Sequence, residues 1–99
     1  MDGEIRHEYD GTTFVWRAAK AAANLAKHGV SFDEATTVFS DPLLRLVDAS
    51  RNDEARDAVI GFDLQARLLF VVHVEIDGEA IRLISARRAS RDEEDLYAQ

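Results

Sequence analysis

The spacing of apolar residues changes once along this 99-residue chain, and the change restricts the folds that the chain can adopt. Between Arg17 and Phe39 the apolar residues recur at helical spacing, whereas from Leu43 to Ala86 they fall in short runs separated by turn residues. Asp41-Pro42 marks the boundary, because proline cannot continue a helix. Two helices followed by four consecutive strands predict an α+β domain with an antiparallel sheet.

Capping residues locate the ends of three helices. The first helix is predicted over Arg17–His28, with Gly29 at the position where a left-handed residue commonly closes a helix. Ser-x-x-Glu capping boxes begin further helices at Ser31 and Ser90. The last of these predicts a short C-terminal helix that continues to Tyr97.

The first helix carries an apolar and a polar stripe, each at helical spacing. The apolar stripe, predicted to face the core, consists of Ala18, Ala21, Ala22 and Leu25. The polar stripe consists of Lys20, Asn24 and Lys27. We interpret the Lys20–Asn24 part of the polar stripe as structural, tying the helix to a loop.

Acidic residues are concentrated at the two ends of the chain. The formal net charge is −7, with four acids and one arginine in residues 1–10 and four acids and no base in residues 92–99. Residues 1–13 are polar and are predicted to form a flexible acidic leader before a single domain over residues 14–99. The body between the acidic ends is neutral and can still present a basic patch if its arginines cluster in space.

Several classes of site are excluded by what the sequence lacks. The chain has no cysteine, which excludes disulfides and thiolate metal sites. Its three histidines are far apart, so we expect no metal site, and no glycine-rich phosphate loop indicates a cofactor. No apolar run approaches the ~20 residues of a membrane span, so we expect no membrane contact and a cytoplasmic location.

The turns between the last three strands predict which residues lie opposite one another. A two-residue hairpin at Asp77-Gly78 places His73 opposite Arg82. A four-residue turn at Asp63–Ala66 places Arg56 opposite His73. Arg56, His73 and Arg82 are therefore predicted to lie side by side across three strands.

This predicted row lies on the sheet face away from Phe70 and Leu83, which we expect in the core beneath the first two helices. Two arginines that flank one imidazole repel one another unless an anion lies between them, so the row is a candidate phosphate site. The alternative is that these are solvated residues on an open sheet face.

Several strings of the sequence resemble the BrnT toxin family, and together they run from Phe14 to Tyr97. The N-terminal strings are Phe14-x-Trp16, Lys20-x3-Asn24-x2-Lys27-His28-Gly29-Val30-Ser31-Phe32 and Asp41-Pro42. The C-terminal strings are Glu54-x-Arg56, Ile60-Gly61, Leu68-x3-Val72-His73-x-Glu75 and Ile81-Arg82-Leu83-Ile84-Ser85-Ala86-Arg87-Arg88-Ala89.

The resemblance implies a RelE-like fold, here with two N-terminal helices packed on a four-stranded antiparallel sheet and a short C-terminal helix. It also implies a toxin of a type II toxin–antitoxin system that arrests growth by metal-independent cleavage of RNA. A BrnA-like antitoxin would neutralise it in a hetero-oligomer such as a heterotetramer. The toxin would meet operator DNA only through that antitoxin.

The chain departs from the family pattern at positions that bear on RNA binding. Val15 and Arg17 stand where the family usually has acids, Ile76 stands where an arginine is usual, and the C-terminal helix is acidic instead of arginine-rich. These departures leave two alternatives open: a catalytically weak or inactive module that binds the antitoxin, and a ParE-like inhibitor of gyrase.

Metal-free RNA cleavage requires a base, donors that stabilise the charged phosphorane, and an acid for the leaving oxygen. Arginine suits the second task because its planar fork binds two phosphate oxygens. The candidates are Arg56, Arg82 and Arg87 for phosphate, His73 and His28 for proton transfer, and Lys27 for added charge.

Each candidate has a purely structural alternative. Lys27 and His28 lie in the last turn of a helix, where cations favour the dipole. His73 is equally well interpreted as a packing residue, and Arg87 lies where the chain leaves the sheet. Arg82 is the strongest candidate, because it is a charge in the middle of an otherwise apolar strand.

Overall fold

The structure, a computed structural model, describes residues 2–99 of the chain. Its elements are β1 (Glu4–Tyr9), β2 (Thr12–Arg17), α1 (Ala18–His28), α2 (Phe32–Thr36), a 3₁₀ turn (Thr37–Ser40), β3 (Arg45–Asp48), β4 (Asp57–Phe62), β5 (Leu68–Ile76), β6 (Ala80–Arg88) and α3 (Arg91–Ala98). The strands form one six-stranded sheet in the order β1-β2-β6-β5-β4-β3. Among the strands of residues 2–99, β2 and β6 run parallel and the other neighbouring strands are antiparallel. Among residues 2–99, no helix is long and apolar enough to cross a membrane.

The α+β class is confirmed, but the predicted four-stranded antiparallel sheet is wrong, because the N-terminal residues add two strands. Residues 4–9, expected in a flexible leader, form β1 and pair with β2 over their whole length. Asp10 and Gly11 both have positive φ (51° and 78°), the backbone conformation of a tight hairpin turn. The sequence analysis missed this turn because the acidic, polar composition of these residues is typical of a flexible leader. Met1, also assigned to the leader, lies outside the described residues.

The three helices form where their capping residues predict them. Gly29 closes α1 with φ 71°, and capping boxes at Ser31 and Ser90 begin α2 and α3. The helices α1 and α2 cover one face of the sheet. The core beneath them contains Phe14, Trp16, Val30, Phe32, Ala35, Val38, Val59, Leu69, Val71, Leu83 and Ala86.

The helix α3 lies over the opposite face of the sheet. Side chains alternate along β4, so Phe62 points away from the face on which Val59 joins the core. Tyr97 of α3 packs perpendicular to Phe62, with ring centroids 5.3 Å apart. The face that we expected to be open is therefore partly covered at the β4 end.

The predicted register is wrong by one residue in both hairpins. Ile76 lies opposite Ala80, so three residues form the β5–β6 turn instead of two. A bulge at Val72/His73 shifts the register again further along, and Phe62 lies opposite Leu68. Because a one-residue shift exchanges the faces of a strand, Leu69, Val71 and His73 face the core on β5.

Candidate functional site

The predicted row of Arg56, His73 and Arg82 does not form, because His73 points into the core. His73 lies opposite Leu83 and Asp57 instead of the two arginines. Its side chain is buried, with its ring edge-on to Phe39 and the ring centroids 5.1 Å apart. Burial lowers the pKa of His73 below its ordinary value of 6.5, and the Val71 carbonyl and nearby carboxylates oppose this shift only partly.

The three candidate arginines each form an ion pair with a carboxylate of the same chain. Their nitrogen–oxygen distances are 2.7 Å for Arg56–Glu54, 2.8 Å for Arg82–Glu4 and 2.8 Å for Arg87–Glu93. These partners lie in a loop, on β1 and on α3 respectively, so the pairs do not share an acid. The arginines therefore do not converge on one empty phosphate site.

Arg87 holds α3 against the sheet. Its guanidinium donates to both carboxylate oxygens of Glu93 and lies 4.5 Å from the centroid of the Phe70 ring. The hydrogen bond with Glu93 raises the pKa of Arg87. Burial alone would raise the pKa of Glu93, but the hydrogen bonds from Arg87 and Ser90 lower it. These contacts give Arg87 a structural role between α3 and β6.

A basic groove runs between α1 and the edge of β6. The pairing of β2 with β6 ends at Val15 and Arg82, after which β2 leads into α1 and no strand of the described residues pairs with this edge of β6. One hollow of about 350 Å³ is lined by Arg17, Lys20, Arg82, Leu83 and Ile84. The adjoining hollow of about 190 Å³ is lined by Lys20, Ala23, Asn24, Lys27, His28, Ile84 and Ser85. Among these described lining residues, four are lysines or arginines and none is acidic.

Asn24 fixes α1 beside β6 and thereby places the lysines of the groove. Its amide nitrogen donates to the carbonyls of Val30 at 3.0 Å and Ala86 at 2.8 Å, and its oxygen accepts from Ala86 N at 3.0 Å. Lys20 and Lys27 lie four residues before and three residues after Asn24, on the same helix face, and both are exposed. The interpretation of Asn24 as a structural tie is thus supported by its contacts.

The groove brings together three of the six predicted site residues: Lys27, His28 and Arg82. Arg56, His73 and Arg87 lie outside it. Sequence reasoning missed Arg17 and Lys20 as groove residues. The helical spacing of Lys20 and Lys27 was visible in the sequence, but only the path of β6 shows that their stripe lies beside the edge of this strand.

Comparisons with known proteins match most of the chain. The family model of the ribonuclease toxin BrnT of type II toxin–antitoxin systems matches residues 16–93. This chain belongs to the BrnT family. A crystal structure of the Brucella abortus ribonuclease toxin BrnT is similar to it, with a TM-score of 0.61 and 27% sequence identity over 77% of this chain and 94% of that chain. A search of curated proteins finds no match.

The BrnT match begins at Trp16, so β1 and most of β2 precede the residues that the family model covers. This N-terminal hairpin reaches the start of α1. Arg17 is the N-cap of α1 and makes no side-chain capping bond, whereas Asp2 accepts a hydrogen bond from Ala19 N at 2.9 Å. Asp2 therefore supplies the cap that the side chain of Arg17 does not.

Proposed function

We propose that this protein is a metal-independent endoribonuclease toxin that binds RNA along the groove between α1 and β6. The observation that carries the proposal is that four of the residues lining the groove are cations and that none of these lining residues is acidic. Asp2 and Glu4 are not among them but pair with two of the cations, Arg17 and Arg82. Phosphate contacts by lysine and arginine supply most of the affinity for a nucleic-acid backbone. A local cluster of this kind is sufficient even though the chain as a whole carries a net charge of −7.

In this proposal Arg82 stabilises the phosphorane and His28 transfers a proton. His28 is half-buried at one end of the groove, whereas His73 is sealed in the core. Lys20 and His28 are eight residues apart on α1, about 12 Å along the helix axis. In this proposal one phosphate lies between the two ends of the groove, with Arg82 on one side of it and His28 on the other.

The reaction that these groups support is attack by the neighbouring 2′-hydroxyl on phosphorus. The bond between O2′ and phosphorus forms, the bond between phosphorus and O5′ breaks, and the products are a 2′,3′-cyclic phosphate and a 5′-hydroxyl. One proton leaves O2′ for a base and one proton reaches O5′ from an acid. The guanidinium of Arg82 compensates the charge that develops on the phosphoryl oxygens.

The decisive experiment is cleavage of single-stranded RNA by the purified free protein in the presence of a chelator. We expect cyclic phosphate ends by mass spectrometry, and a loss of about 10²–10³-fold in cleavage rate for Arg82→Ala, typical of one transition-state donor. Arg56→Ala is the matched control, since it removes the same charge outside the groove. Equal losses for Arg56→Ala and Arg82→Ala, or cleavage that needs a divalent cation, would overturn the proposal.

We further propose a BrnA-like antitoxin as the neutralising partner and the cytoplasm as the place of action. Family membership supports an antitoxin partner. Co-expression with the product of the adjacent reading frame is expected to give a stable hetero-oligomer that no longer cleaves RNA. Failure of the two proteins to co-purify would count against this partner.

A second function, a weakly active module that binds the antitoxin, is favoured by the ion pairs of Arg56, Arg82 and Arg87 with acids of the same chain. Induction in cells separates the alternatives. Growth arrest with degraded RNA supports the nuclease, and normal growth supports the module. Arrest with intact RNA and altered DNA supercoiling would point instead to inhibition of gyrase.

A further inference from the structure

The N-terminal strand β1 brings two carboxylates to the basic groove. Glu4 accepts a hydrogen bond from the Arg82 guanidinium at 2.8 Å, and Asp2 lies 3.5 Å from that of Arg17. Both arginines line the larger hollow of the groove. Two of its four cations are therefore paired with acids from residues that precede the BrnT match.

The pair of Glu4 and Arg82 is placed where it can be exchanged for another anion. Its side chains are 54% and 31% exposed, so water and ions reach both partners. Exposed ion pairs of this kind are weak and are screened by salt. An RNA phosphodiester carries one negative charge and two non-bridging oxygens, like a carboxylate, and can replace Glu4 on the same guanidinium. Lys20 and Lys27 of the groove favour this replacement, because they bind neighbouring phosphates of the same strand.

The pairing also affects where the Arg82 side chain lies. Val15 is opposite Arg82 on β2, and β1 lies on the far side of β2 from β6. Glu4 thus draws the Arg82 guanidinium across β2, toward β1 and away from the end of the groove that holds Lys27 and His28. Release from Glu4 frees Arg82 to extend along the groove.

We propose that Glu4 is an autoinhibitory residue, which occupies Arg82 in the free protein and must be displaced by an RNA phosphate before cleavage. This inference rests on the proposed function and adds regulation to the same site. It predicts that β1 lowers RNA affinity through one ion pair, and that this effect is greatest at low salt.

The strand β1 offers a matched control in Glu8. Glu8 lies four residues after Glu4, on the same face of β1, and accepts a hydrogen bond from Thr13 instead of from a cation. Glu4→Gln and Glu8→Gln change the net charge equally. Only Glu4→Gln unmasks Arg82.

The first test measures binding of a 2′-O-methyl single-stranded oligonucleotide, which cannot be cleaved by its own 2′-hydroxyl. We expect Glu4→Gln to bind about two- to fivefold more tightly than the parent protein at low salt, the range of an exposed ion pair. The slope of log affinity against log salt is expected to steepen by no more than about 0.7, the value for one phosphate contact on a single strand, because Glu4 competes for that contact in the parent protein. Glu8→Gln is expected to show neither change.

A double-mutant cycle with Arg82→Gln tests whether Glu4 acts through Arg82. In the Arg82→Gln background, Glu4→Gln is expected to behave like Glu8→Gln. Equal affinities of Glu4→Gln and Glu8→Gln in the native background would overturn the inference, as would a gain from Glu4→Gln that survives Arg82→Gln. Thermal unfolding of each variant verifies that the fold is retained.

Retention on heparin, a sulfated polyanion, separates this inference from the proposed function. Later elution of Glu4→Gln than of Glu8→Gln supports the masking of Arg82 even if no variant cleaves RNA, in which case the nuclease proposal alone fails. Coincident elution, with RNA cleavage intact in the parent protein, overturns the masking and leaves the nuclease proposal in place.

Discussion

Asn24 of α1 and Ala86 of β6 exchange two hydrogen bonds across the edge of the sheet, at 2.8 and 3.0 Å. The Asn24 side chain thus takes the place of a neighbouring strand at a point where β6 has none, because the pairing with β2 has ended at Arg82. A third bond, to the Val30 carbonyl, ties in the chain that follows α1. The buried Asn24 amide therefore holds α1 beside β6 along the groove.

Replacement of Asn24 by alanine is expected to destabilise the fold by about 2–4 kcal/mol, because each buried polar group left without a partner costs about 1–3 kcal/mol. Chemical denaturation measures this loss. Leu25→Ala is the control on the same helix, since Leu25 is 50% exposed, and its expected effect is within about 0.5 kcal/mol. A larger loss for Leu25→Ala than for Asn24→Ala would contradict the assignment of Asn24 as the anchor.

Local signals in the sequence were sufficient for the helix ends and for the four strands that follow α2, but not for the N-terminal strands or for the faces of the sheet. The Ser31 and Ser90 capping boxes act within four residues, and the structure contains both. The faces depended on turn lengths: one extra residue after Ile76 was enough to send His73 into the core. Strand periodicity could not reveal this, because both faces of β5 are apolar.

The groove could not be predicted from the sequence either, because tertiary contacts decide which side chains of α1 are buried. Leu25, predicted in the core, is half exposed, whereas Asn24 is buried. The apolar pattern of α1 could not show this, because Asn24 meets a strand edge whose backbone groups need polar partners. Likewise, the acidic composition of the N-terminal residues predicted a leader, whereas the turn at Asp10-Gly11 allows residues 4–9 to pair with β2.

Tyr97 and Asp41 form a hydrogen bond that a titration can detect. The Tyr97 hydroxyl donates to Asp41 Oδ2 at 2.6 Å, and this bond raises the pKa of Tyr97 from 10.0 to about 12. Absorbance of tyrosinate at 295 nm, recorded immediately after a pH jump, is expected to include a component near pH 12 that Tyr97→Phe removes. Survival of that component in Tyr97→Phe would assign it elsewhere.

The same bond links stability to alkaline pH. A tyrosine with a raised pKa in the folded state stabilises the fold below pH 10, and the contribution is lost as the pH rises from 10 toward 12. Tyr97→Phe is therefore expected to lower the free energy of unfolding by about 1 kcal/mol at neutral pH. The difference from the parent protein should shrink above pH 10.

Burial of His73 predicts a loss of stability in mild acid. Because the pKa of His73 is lowered below 6.5 in the folded state, His73 binds a proton in the unfolded chain at a pH where it is still neutral in the folded chain. The free energy of unfolding is thus expected to fall as the pH drops below 6.5, by at most about 1.4 kcal/mol per pH unit from this group. The fall continues until the folded-state pKa is reached.

His73→Leu isolates this contribution. It removes the titrating group and keeps an apolar side chain against Phe39. Urea unfolding at pH 7.5 and 5.5 is expected to show a smaller difference for His73→Leu than for the parent protein. Parallel behaviour of the two proteins would mean that His73 remains accessible to protons in the folded state.

At the N-terminus of α1, loss of the capping side chain of Asp2 is expected to be compensated by a new capping side chain at residue 17. Asp2 caps the helix from outside by accepting from Ala19 N, since Arg17 at the N-cap makes no capping bond. Asp2→Ala is expected to cost about 0.5–2 kcal/mol, the range for loss of a capping side chain. Arg17→Asp places an acid at the N-cap itself and should restore most of the loss in the Asp2→Ala background.

Thermal unfolding of the single and double variants measures how much of the lost stability Arg17→Asp restores. In the native background Arg17→Asp is expected to add little, because the amide of Ala19 already has an acceptor. Arg6→Asp serves as the control, since it makes the same charge change on β1, away from the end of α1. If Arg17→Asp and Arg6→Asp rescue Asp2→Ala equally, the rescue comes from net charge, and Asp2 is not the cap of α1.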